Sequence, residues 1–229
     1  MFPRDRQPER MDDPHLAPVE HRRALLGLAR INKLTRSAQL FLPIIKELQA
    51  EVAPKPLRIL DVATGSGDIP AALQQLVERH AFPIQLSACD ISPLAIEEAR
   101  AAAPGVNFFV HDVLKDPLPG EYDLVICSLF LHHLEHAQQL HLLREMARVS
   151  VRGIALSDLV RSRLNYWLVW IAARLASRSH IVHEDGPLSV RAALTISEMQ
   201  ALALEAGLNN STVKSCFPSR FLMIWKKLA

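Results

Sequence analysis

The order of apolar and polar positions changes once along the chain, near Pro56. Between residues 19 and 50, apolar residues recur at the three- and four-residue intervals of amphipathic helices, which predicts two helices. After Pro56, short apolar runs alternate with helical ones, a pattern typical of an α/β fold with a mainly parallel sheet. The pattern predicts seven strands, near 57–62, 84–90, 106–111, 121–128, 151–158, 208–216 and 220–227.

The connections between these strands predict how they pair. Only a short turn at Pro218 joins the last two strands, whereas the earlier connections are long enough for parallel crossovers. We therefore expect five parallel strands followed by an antiparallel hairpin. The segment 159–194, before a helix predicted at 196–206, is longer than an ordinary connection and is predicted to be a helical insertion.

The chain before the first strand is expected to have a role of its own. Residues 1–17 are predicted to be a flexible leader, because they are charged and rich in proline. The two helices that follow, up to residue 55, are expected to cover a pocket of the main domain, which spans residues 56–229.

Length, composition and charge are those of an ordinary globular protein. The 229 residues suffice for one α/β domain with additions, and 49% apolar with 22% charged residues argue against disorder. The net charge of +2 is too small to indicate a nucleic-acid partner. Three widely spaced cysteines favour neither a disulfide framework nor a zinc site, as expected in a reducing, cytoplasmic compartment.

No segment of the sequence is expected to span a membrane or direct secretion. The most apolar stretch, residues 164–176, contains an arginine and is well short of the roughly 20 apolar residues that a span needs. The amino terminus also lacks the apolar core of a secretory signal.

A glycine-rich turn follows the first strand in RILDVATGSGDIP. Gly65 and Gly67 allow the chain to turn sharply near a ligand, and the start of the next helix offers unpaired N–H groups. A turn without a ligand is the alternative for this segment taken alone. Pro70 occupies the third glycine position of the nicotinamide fingerprint, which disfavours a dehydrogenase.

Acidic residues also end the next two strands, Asp90 in ACDISP and Asp112 in VHDVLKDP. The carboxyl ends of parallel strands meet at one sheet edge, so these carboxylates and Asp61 should line one pocket. Asp90 could accept hydrogen bonds from both ribose hydroxyls, and Asp112 could bind an adenine amino group. The three acids together predict a nucleoside site.

The segments LDVATGSGD, CDISPLAIEEAR and HDVLKDPLPGEYDLVICSLFLHHL resemble motifs of class I S-adenosylmethionine-dependent methyltransferases, over residues 56–158. The terminal hairpin fits that family's Rossmann-like seven-stranded sheet, ordered 3-2-1-4-5-7-6 with strand 7 antiparallel and helices on both faces. The resemblance implies S-adenosyl-L-methionine as the cofactor. Ala63 stands where the family usually has a glycine and must itself adopt the turn. The implied cofactor-binding residues are Asp61, Ala63, Gly65, Gly67, Asp68, Asp90, Ile91, Asp112, Val113 and Ser128.

Two adjacent histidines follow the fourth strand in SLFLHHL, where an acceptor should meet the methyl group. His132 or His133 is a candidate base, since histidine with a pKa of about 6.5 can accept a phenol proton. Packing against the sheet is the alternative role for either histidine. His183 is a second catalytic candidate. No metal is predicted, because His132 and His136, four residues apart, lack a third ligand at a familiar spacing.

The acceptor is expected to be a small molecule. SLFLHHL resembles bacterial small-molecule methyltransferases, including the ubiquinone and menaquinone C-methylating group, and the whole pattern resembles enzymes of bacterial polyketide pathways more loosely. The resemblance implies methyl transfer to oxygen or carbon of a hydrophobic aromatic metabolite, such as a phenol, a resorcinol or a quinone precursor. The alternatives are a nucleic-acid methyltransferase and a non-catalytic S-adenosylmethionine-binding regulatory or scaffold protein.

The predicted insertion combines aromatic residues with arginines. An aromatic lid over the acceptor would suit an apolar molecule. Burial of the same stripe in the core, or in a homodimer contact, is the alternative. The predicted acceptor-binding residues are Tyr166, Trp167, Trp170 and Arg191.

Overall fold

A single seven-stranded sheet forms the centre of the protein, which a computed structural model describes for residues 2–13, 15–80 and 83–227. The strand order is β3-β2-β1-β4-β5-β7-β6, as predicted. The first five strands are parallel, and β7 is antiparallel to both β5 and β6. The strands are β1 (Leu57–Val62), β2 (Ile84–Asp90), β3 (Asn107–Val110), β4 (Tyr122–Ser128), β5 (Ser150–Leu159), β6 (Thr212–Cys216) and β7 (Arg220–Lys226).

Helices precede the sheet and cover both of its faces. Short 3-10 turns occur at Arg10–Asp12, Ser37–Leu40 and Leu131–His133. The α-helices in the described part of the chain are α1 (Pro18–Leu34), α2 (Leu42–Val52), α3 (Asp68–His80), α4 (Pro93–Ala102), α5 (His136–Val149), α6 (Arg163–Ala176), α7 (His180–Ala192) and α8 (Ile196–Glu205). The two amino-terminal helices and the helical insertion predicted from the sequence are therefore present.

The predicted sixth strand begins too early. It was placed at 208–216, but β6 starts at Thr212. Leu208 is buried in the core and looks like the first residue of a strand. Gly207 and Asn210, with φ angles of 85° and 65°, instead turn the chain before the strand begins. These left-handed conformations are incompatible with a strand, and the hydrophobic pattern alone does not show them.

The central strands are buried on both faces, as expected for parallel strands covered by helices. In β1, Leu60 and Val62 belong to one apolar cluster, and Leu57 and Ile59 belong to another on the opposite face. This alternation follows from the two-residue repeat of a strand. Because both faces are covered, only the two edges formed by strand ends are open to polar chemistry.

The insertion forms α6 and α7, which pack against each other and against α1. Asn165 and Ala173 of α6 are buried, whereas Leu164, Trp167 and Leu175 are exposed. Burial of the whole aromatic stripe in the core, one of the alternatives above, is wrong for Trp167, whose exposed fraction is 57%. Helical periodicity predicts two faces, but tertiary packing decides which of them is covered.

The segment before α1 lies against α7 and the turn at Leu131–His133. The Arg4 guanidinium donates to the carbonyl oxygens of Ala192 at 2.7 Å and Leu134 at 2.8 Å. Further along, the backbone N–H groups of Arg10 and Met11 donate to the carboxylate of Asp185, both at 3.0 Å. These contacts place Glu9 in the protein interior, where its exposed fraction is 8%.

No helix among the described residues combines the length and the apolar character needed to cross a bilayer.

Gly67, in the turn after β1, provides a test of how tightly that turn is packed. A Cβ atom at Gly67 would lie 2.8 Å from the Cβ of Ala99 and 3.0 Å from Cζ of Phe108, and its φ is +72°. We expect Gly67→Ala to lose about 1–2 kcal/mol of unfolding free energy from left-handed strain, and about 1–3 kcal/mol more from overpacking. Urea denaturation measures the change.

Gly207 is the matched control for this substitution, because its φ is +85° but nothing lies within 4 Å of the added Cβ. Gly207→Ala should therefore show the strain alone. An equal loss of stability in both variants would contradict the close approach of α4 and β3 to the turn.

Candidate functional site

The predicted cofactor residues lie at one edge of the sheet. The strands β3, β2, β1 and β4 are parallel neighbours, so the residues that follow them line a common edge. A surface depression lined by Glu51, Arg148 and Lys226 lies at the opposite edge and includes none of these residues. The edge contains Asp61, Ala63, Gly65, Gly67, Asp68, Asp90, Ile91, Asp112, Val113 and Ser128.

The turn after β1 has the backbone shape that a close ligand contact requires. Ala63, Gly65 and Gly67 all have positive φ angles, of 56°, 57° and 72°. Ala63 thus takes the left-handed conformation itself, despite its Cβ. A Cβ at Gly65 would find only Leu25 of α1 near it, at 3.9 Å, so space remains beside the backbone. The turn leads directly into α3 at Asp68, whose first N–H groups face this edge.

Asp90 joins the turn to β2. Its Oδ2 accepts the Gly65 N–H at 2.8 Å, and its Oδ1 accepts the Ser92 N–H at 2.9 Å. Burial raises the pKa of Asp90, while these backbone N–H groups act in the opposite direction. A carboxylate offers about four lone-pair positions, so Asp90 can still accept two ribose hydroxyls.

Asp112 and Val113 follow β3. Burial acts to raise the pKa of Asp112, but Lys115 at 3.0 Å and the Leu114 N–H at 3.1 Å lower it below the ordinary value. Asp112 is therefore an ionised acceptor. Val113 is buried, and its carbonyl oxygen lies 3.2 Å from Nε2 of His141.

Asp61 is the most unusual carboxylate of the edge. Its exposed fraction is 1%, its Oδ2 accepts the Thr64 hydroxyl at 2.6 Å, and its Oδ1 has no hydrogen-bond partner. Burial raises the pKa of Asp61 from 3.8 to about 8. Buried polar atoms are nearly always paired, so the unpaired oxygen indicates a place for a ligand donor.

The raised pKa predicts how stability depends on pH. The folded state holds the Asp61 proton up to about pH 8, whereas the unfolded chain releases it near 3.8. The stabilising contribution is thus complete below the unfolded pKa and is lost as the pH rises through the folded pKa. We expect the unfolding free energy of the wild type to fall, relative to that of Asp61→Asn, as the pH rises toward about 8.

Denaturant unfolding of both proteins across that pH range measures this difference. Asp116→Asn, which removes an exposed carboxylate after β3, is the control. Parallel stability curves for the wild type and Asp61→Asn would contradict the raised pKa.

A series of hydrogen-bonded side chains links α3, α1 and β7. Asn32 of α1 donates to Oδ2 of Asp68 at 2.9 Å and accepts from the guanidinium of Arg220 at 2.6 Å. Arg220 also lies 3.4 Å from the Ser128 hydroxyl at the end of β4. Arg220 and Asn32 thus link two of the predicted cofactor residues.

His132 and Asp158 form a buried pair beside this edge. Their exposed fractions are 4% and 1%, and Nδ1 of His132 lies 2.7 Å from Oδ1 of Asp158. Oδ2 of Asp158 accepts the His132 backbone N–H at 3.0 Å. Burial acts to raise the pKa of Asp158, but His132 lowers it below the ordinary value. Since Asp158 is ionised, ring Nδ1 is the donor, and Nε2 points away from the carboxylate.

Glu9 faces the other side of this ring. Its Oε1 lies 3.7 Å from Nε2 of His132, and its Oε2 lies 3.9 Å from Nε2 of His133. The Ser189 hydroxyl of α7 donates to Glu9 Oε1 at 2.7 Å. Glu9, His132 and His133 place their possible metal-ligand atoms within 4.8 Å of one another. Two histidines with one carboxylate could hold a divalent metal. Neither gap is a hydrogen bond, because both distances exceed 3.5 Å.

Three of the residues predicted to bind the acceptor lie together on α6, with ring centroids 5.6 Å apart for Tyr166 and Trp167 and 5.9 Å apart for Trp167 and Trp170. Tyr166 packs edge-on against Phe2, with ring centroids 6.3 Å apart. Trp170 stacks with Arg174, whose guanidinium carbon is 3.7 Å from the ring centroid, and Trp167 is largely exposed.

The other two predicted residues, Arg191 and His183, are bound to other groups of the protein. Arg191 forms an ion pair with Asp5. His183 bonds to the Ser177 carbonyl oxygen at 2.8 Å, in the turn between α6 and α7. A role for these residues in binding or catalysis stays a prediction.

Sequence reasoning missed four residues of this site: Glu9, Asn32, Asp158 and Arg220. Asp158 had a signal, because it ends β5 as Asp61 and Asp90 end their strands. Arg220 also had one, as a single charge at the start of the apolar run FLMIW. Nothing in the local pattern distinguishes Glu9 or Asn32 from other polar residues.

Residues 59–153 match the family model described as a methyltransferase domain. The matched part runs from β1 to the start of β5 and includes the glycine turn, Asp90, Asp112 and His132. The sheet order is that of the Rossmann-like methyltransferase fold.

Over 101 residues, the chain is 33% identical to a 3-methylorcinaldehyde synthase of Phoma sp; the alignment covers 42% of this chain and 4% of that protein. Among solved structures, a candidate O-methyltransferase from Nostoc punctiforme is similar, with 20% sequence identity and a TM-score of 0.60. The alignment covers 85% of this chain and 56% of that chain. Magnesium protoporphyrin IX methyltransferase from Synechocystis, with bound S-adenosylhomocysteine, has 17% identity, a TM-score of 0.56 and 84% coverage of each chain.

The chain therefore spans a small part of the curated relative and about half of the Nostoc protein. At these identities, the likeness to the solved structures shows a shared fold.

Proposed function

We propose that the protein transfers a methyl group from S-adenosyl-L-methionine to oxygen or carbon of a small, hydrophobic aromatic metabolite. The methyltransferase-domain match and the fold support the reaction class. The observation on which the chemistry rests is the 2.7 Å bond between His132 and Asp158, at the edge where a methyl acceptor would lie.

The residues at this edge fit the cofactor. Asp61 offers a buried oxygen without a partner, and Gly65 leaves space beside its backbone. Asp90 would hold the ribose hydroxyls, and Asp112 with Val113 would hold the adenine. When bound, S-adenosyl-L-methionine would supply a methyl group on a positively charged sulfur. An oxygen or carbon nucleophile bonds to the methyl carbon as the carbon–sulfur bond breaks, and S-adenosylhomocysteine is released.

His132 is the group best placed to take the acceptor proton. Asp158 fixes the tautomer by accepting from Nδ1, which leaves the lone pair of Nε2 on the side of Glu9 and His133. A positioned histidine contributes about 10²- to 10⁴-fold to such a proton transfer. The buried environment also excludes water, which favours alignment of the nucleophile with the methyl group.

The surroundings favour an apolar aromatic acceptor. Phe130 lies next to His133, with ring centroids 6.2 Å apart, and Phe2, Leu129 and Tyr166 pack around Leu159 at the end of β5. The curated relative, a 3-methylorcinaldehyde synthase, supports an acceptor of the polyketide kind.

A mass-spectrometric product search tests this proposal. The protein is incubated with S-adenosylmethionine and phenols, resorcinols, quinols, fatty acids or RNA, and products heavier by one methyl group are sought. Methylation of an aromatic small molecule supports the proposal. Methylation of RNA alone would favour a nucleic-acid methyltransferase, and tight S-adenosylhomocysteine binding without any product would favour a non-catalytic binding protein.

A chelator arm separates base catalysis from a metal at Glu9, His132 and His133. An ion bound at Nε2 of His132 would occupy the atom that should accept the proton. Turnover that survives treatment with EDTA supports His132 as the base. Loss of turnover that added divalent ions restore would contradict that role.

A further inference from the structure

Arg220, the first residue of β7, is a buried cation without an anionic partner. Its exposed fraction is 4%, and its hydrogen bonds go to the neutral side chains of Asn32 and Ser128. Within the described ranges, no carboxylate lies within 4.0 Å of its guanidinium. The other fully buried arginine of the described ranges does have one, since Arg161 pairs with Glu198 at 2.6 Å.

The missing partner is costly unless a ligand supplies it. Taking a guanidinium out of water is expensive, and only a well-placed opposite charge offsets the loss. Burial lowers the pKa of Arg220 to about 10, while Asp158 and Asp68 act to raise it from a greater distance. Arg220 therefore remains charged at neutral pH.

The position of Arg220 indicates which ligand group it faces. Asn32 connects it to Asp68, the first residue of α3 after the glycine turn. Ser128 connects it to the end of β4. Neither of its hydrogen bonds goes to His132 or Glu9. Asp158 also acts on the guanidinium electrostatically, but the guanidinium's own hydrogen bonds lead through Asn32 to the glycine turn.

We propose that Arg220, positioned by Asn32, binds the carboxylate of the cofactor's methionine group. This inference rests on the proposed function, because it takes S-adenosylmethionine as the ligand. The planar guanidinium suits a carboxylate, to which it can donate two parallel hydrogen bonds. Asp61 complements it, since its unpaired oxygen can accept a hydrogen bond from the ammonium group of the same amino acid.

Calorimetry with two ligands tests this assignment without any acceptor. S-adenosylhomocysteine carries the carboxylate, whereas S-adenosyl-3-thiopropylamine is the same molecule without it. For the wild type, we expect roughly 30-fold or more tighter binding of S-adenosylhomocysteine, the usual scale for a desolvated charge pair. Arg220→Gln should lose that advantage while its affinity for the thiopropylamine stays within about threefold.

Two further variants complete the design. Lys214→Gln removes a charge from the exposed strand β6 of the same hairpin and should bind both ligands as the wild type does. Arg220→Lys keeps the charge but loses the two-pronged donor, so it should lose part of the preference for the carboxylate. Because the Lys variant retains the buried cation, it remains a test if Arg220→Gln does not fold.

The outcomes also separate this inference from the proposed function. If the wild type binds neither ligand, the proposed function fails. If the wild type binds S-adenosylhomocysteine but Arg220→Gln weakens both ligands equally, or neither, the assignment of Arg220 is wrong. Normal cofactor binding by Arg220→Gln with lost acceptor binding would assign the cation to an anionic acceptor instead, and would also overturn the inference.

Discussion

Asp158→Asn is expected to lower the turnover number of methyl transfer by about 10²- to 10⁴-fold, the whole contribution of a positioned base. The Asp158 carboxylate accepts from three donors, namely ring Nδ1 of His132, the His132 backbone N–H and the Leu159 backbone N–H. An asparagine has one acceptor oxygen and cannot satisfy all of them. The ring then loses its fixed tautomer, and Nε2 is no longer held as the proton acceptor.

Initial rates per folded protein, on the acceptor that the product search identifies, measure this effect. Nitrogen-15 chemical shifts of the His132 ring report the tautomer independently of turnover. Asp123→Asn is a matched control, because Asp123 is also a buried carboxylate that accepts a backbone N–H, from Arg58 at 2.9 Å, but lies at the other end of β4. Full turnover in Asp158→Asn would place the chemical centre elsewhere.

Asp90→Ala is expected to weaken S-adenosylhomocysteine binding by about 10²-fold or more. Hydrogen bonds to a charged group contribute about 1.5–3 kcal/mol each, and Asp90 would accept two from the ribose. The structure adds a second reason, because Asp90 also accepts the Gly65 N–H and so holds the glycine turn in place. Calorimetry measures the change, and Asp116→Ala, in the exposed segment after β3, is the control.

A 2′-deoxy analogue of S-adenosylhomocysteine separates these two reasons. The wild type should bind the analogue more weakly than the parent ligand, whereas Asp90→Ala should bind both alike. If the wild type does not distinguish the two ligands, the ribose assignment fails, and Asp90 acts only through the turn.

The carboxylates and the glycine turn on the cofactor side could be predicted because their signals are local. A carboxylate at the end of a strand and a glycine in the following turn are neighbours in sequence, and the parallel order of the strands brings their ends together. The replacement of the family's usual glycine by Ala63 could also be read from the turn itself. The structure shows that this alanine adopts a φ of 56°. Asp158 is also a carboxylate at the end of a strand, β5. Its partner His132 was predicted as a candidate base.

The other residues of the site, Arg220 and Asn32 on the cofactor side and Glu9 beside His132, could not be predicted in the same way, because distant segments form their contacts. Arg220 and Asn32 are 188 residues apart and meet only when α1 lies over the start of β7. Glu9 reaches His132 only because the segment before α1 lies along α7. A polar residue in a segment without periodicity gives no sign of its partner.

By itself, the sequence predicted five parallel strands followed by an antiparallel hairpin, the edge on which the site lies and the carboxylates that would hold a nucleoside. These features follow from strand periodicity and from residues next to strand ends, whereas the full strand order was implied by the resemblance to the methyltransferase family. Only the tertiary structure decided which face of α6 is exposed, which carboxylate orients His132, and that Glu9 and Arg220 are buried in the site. The reason is physical, because burial and charge pairing depend on contacts between segments that are far apart along the chain.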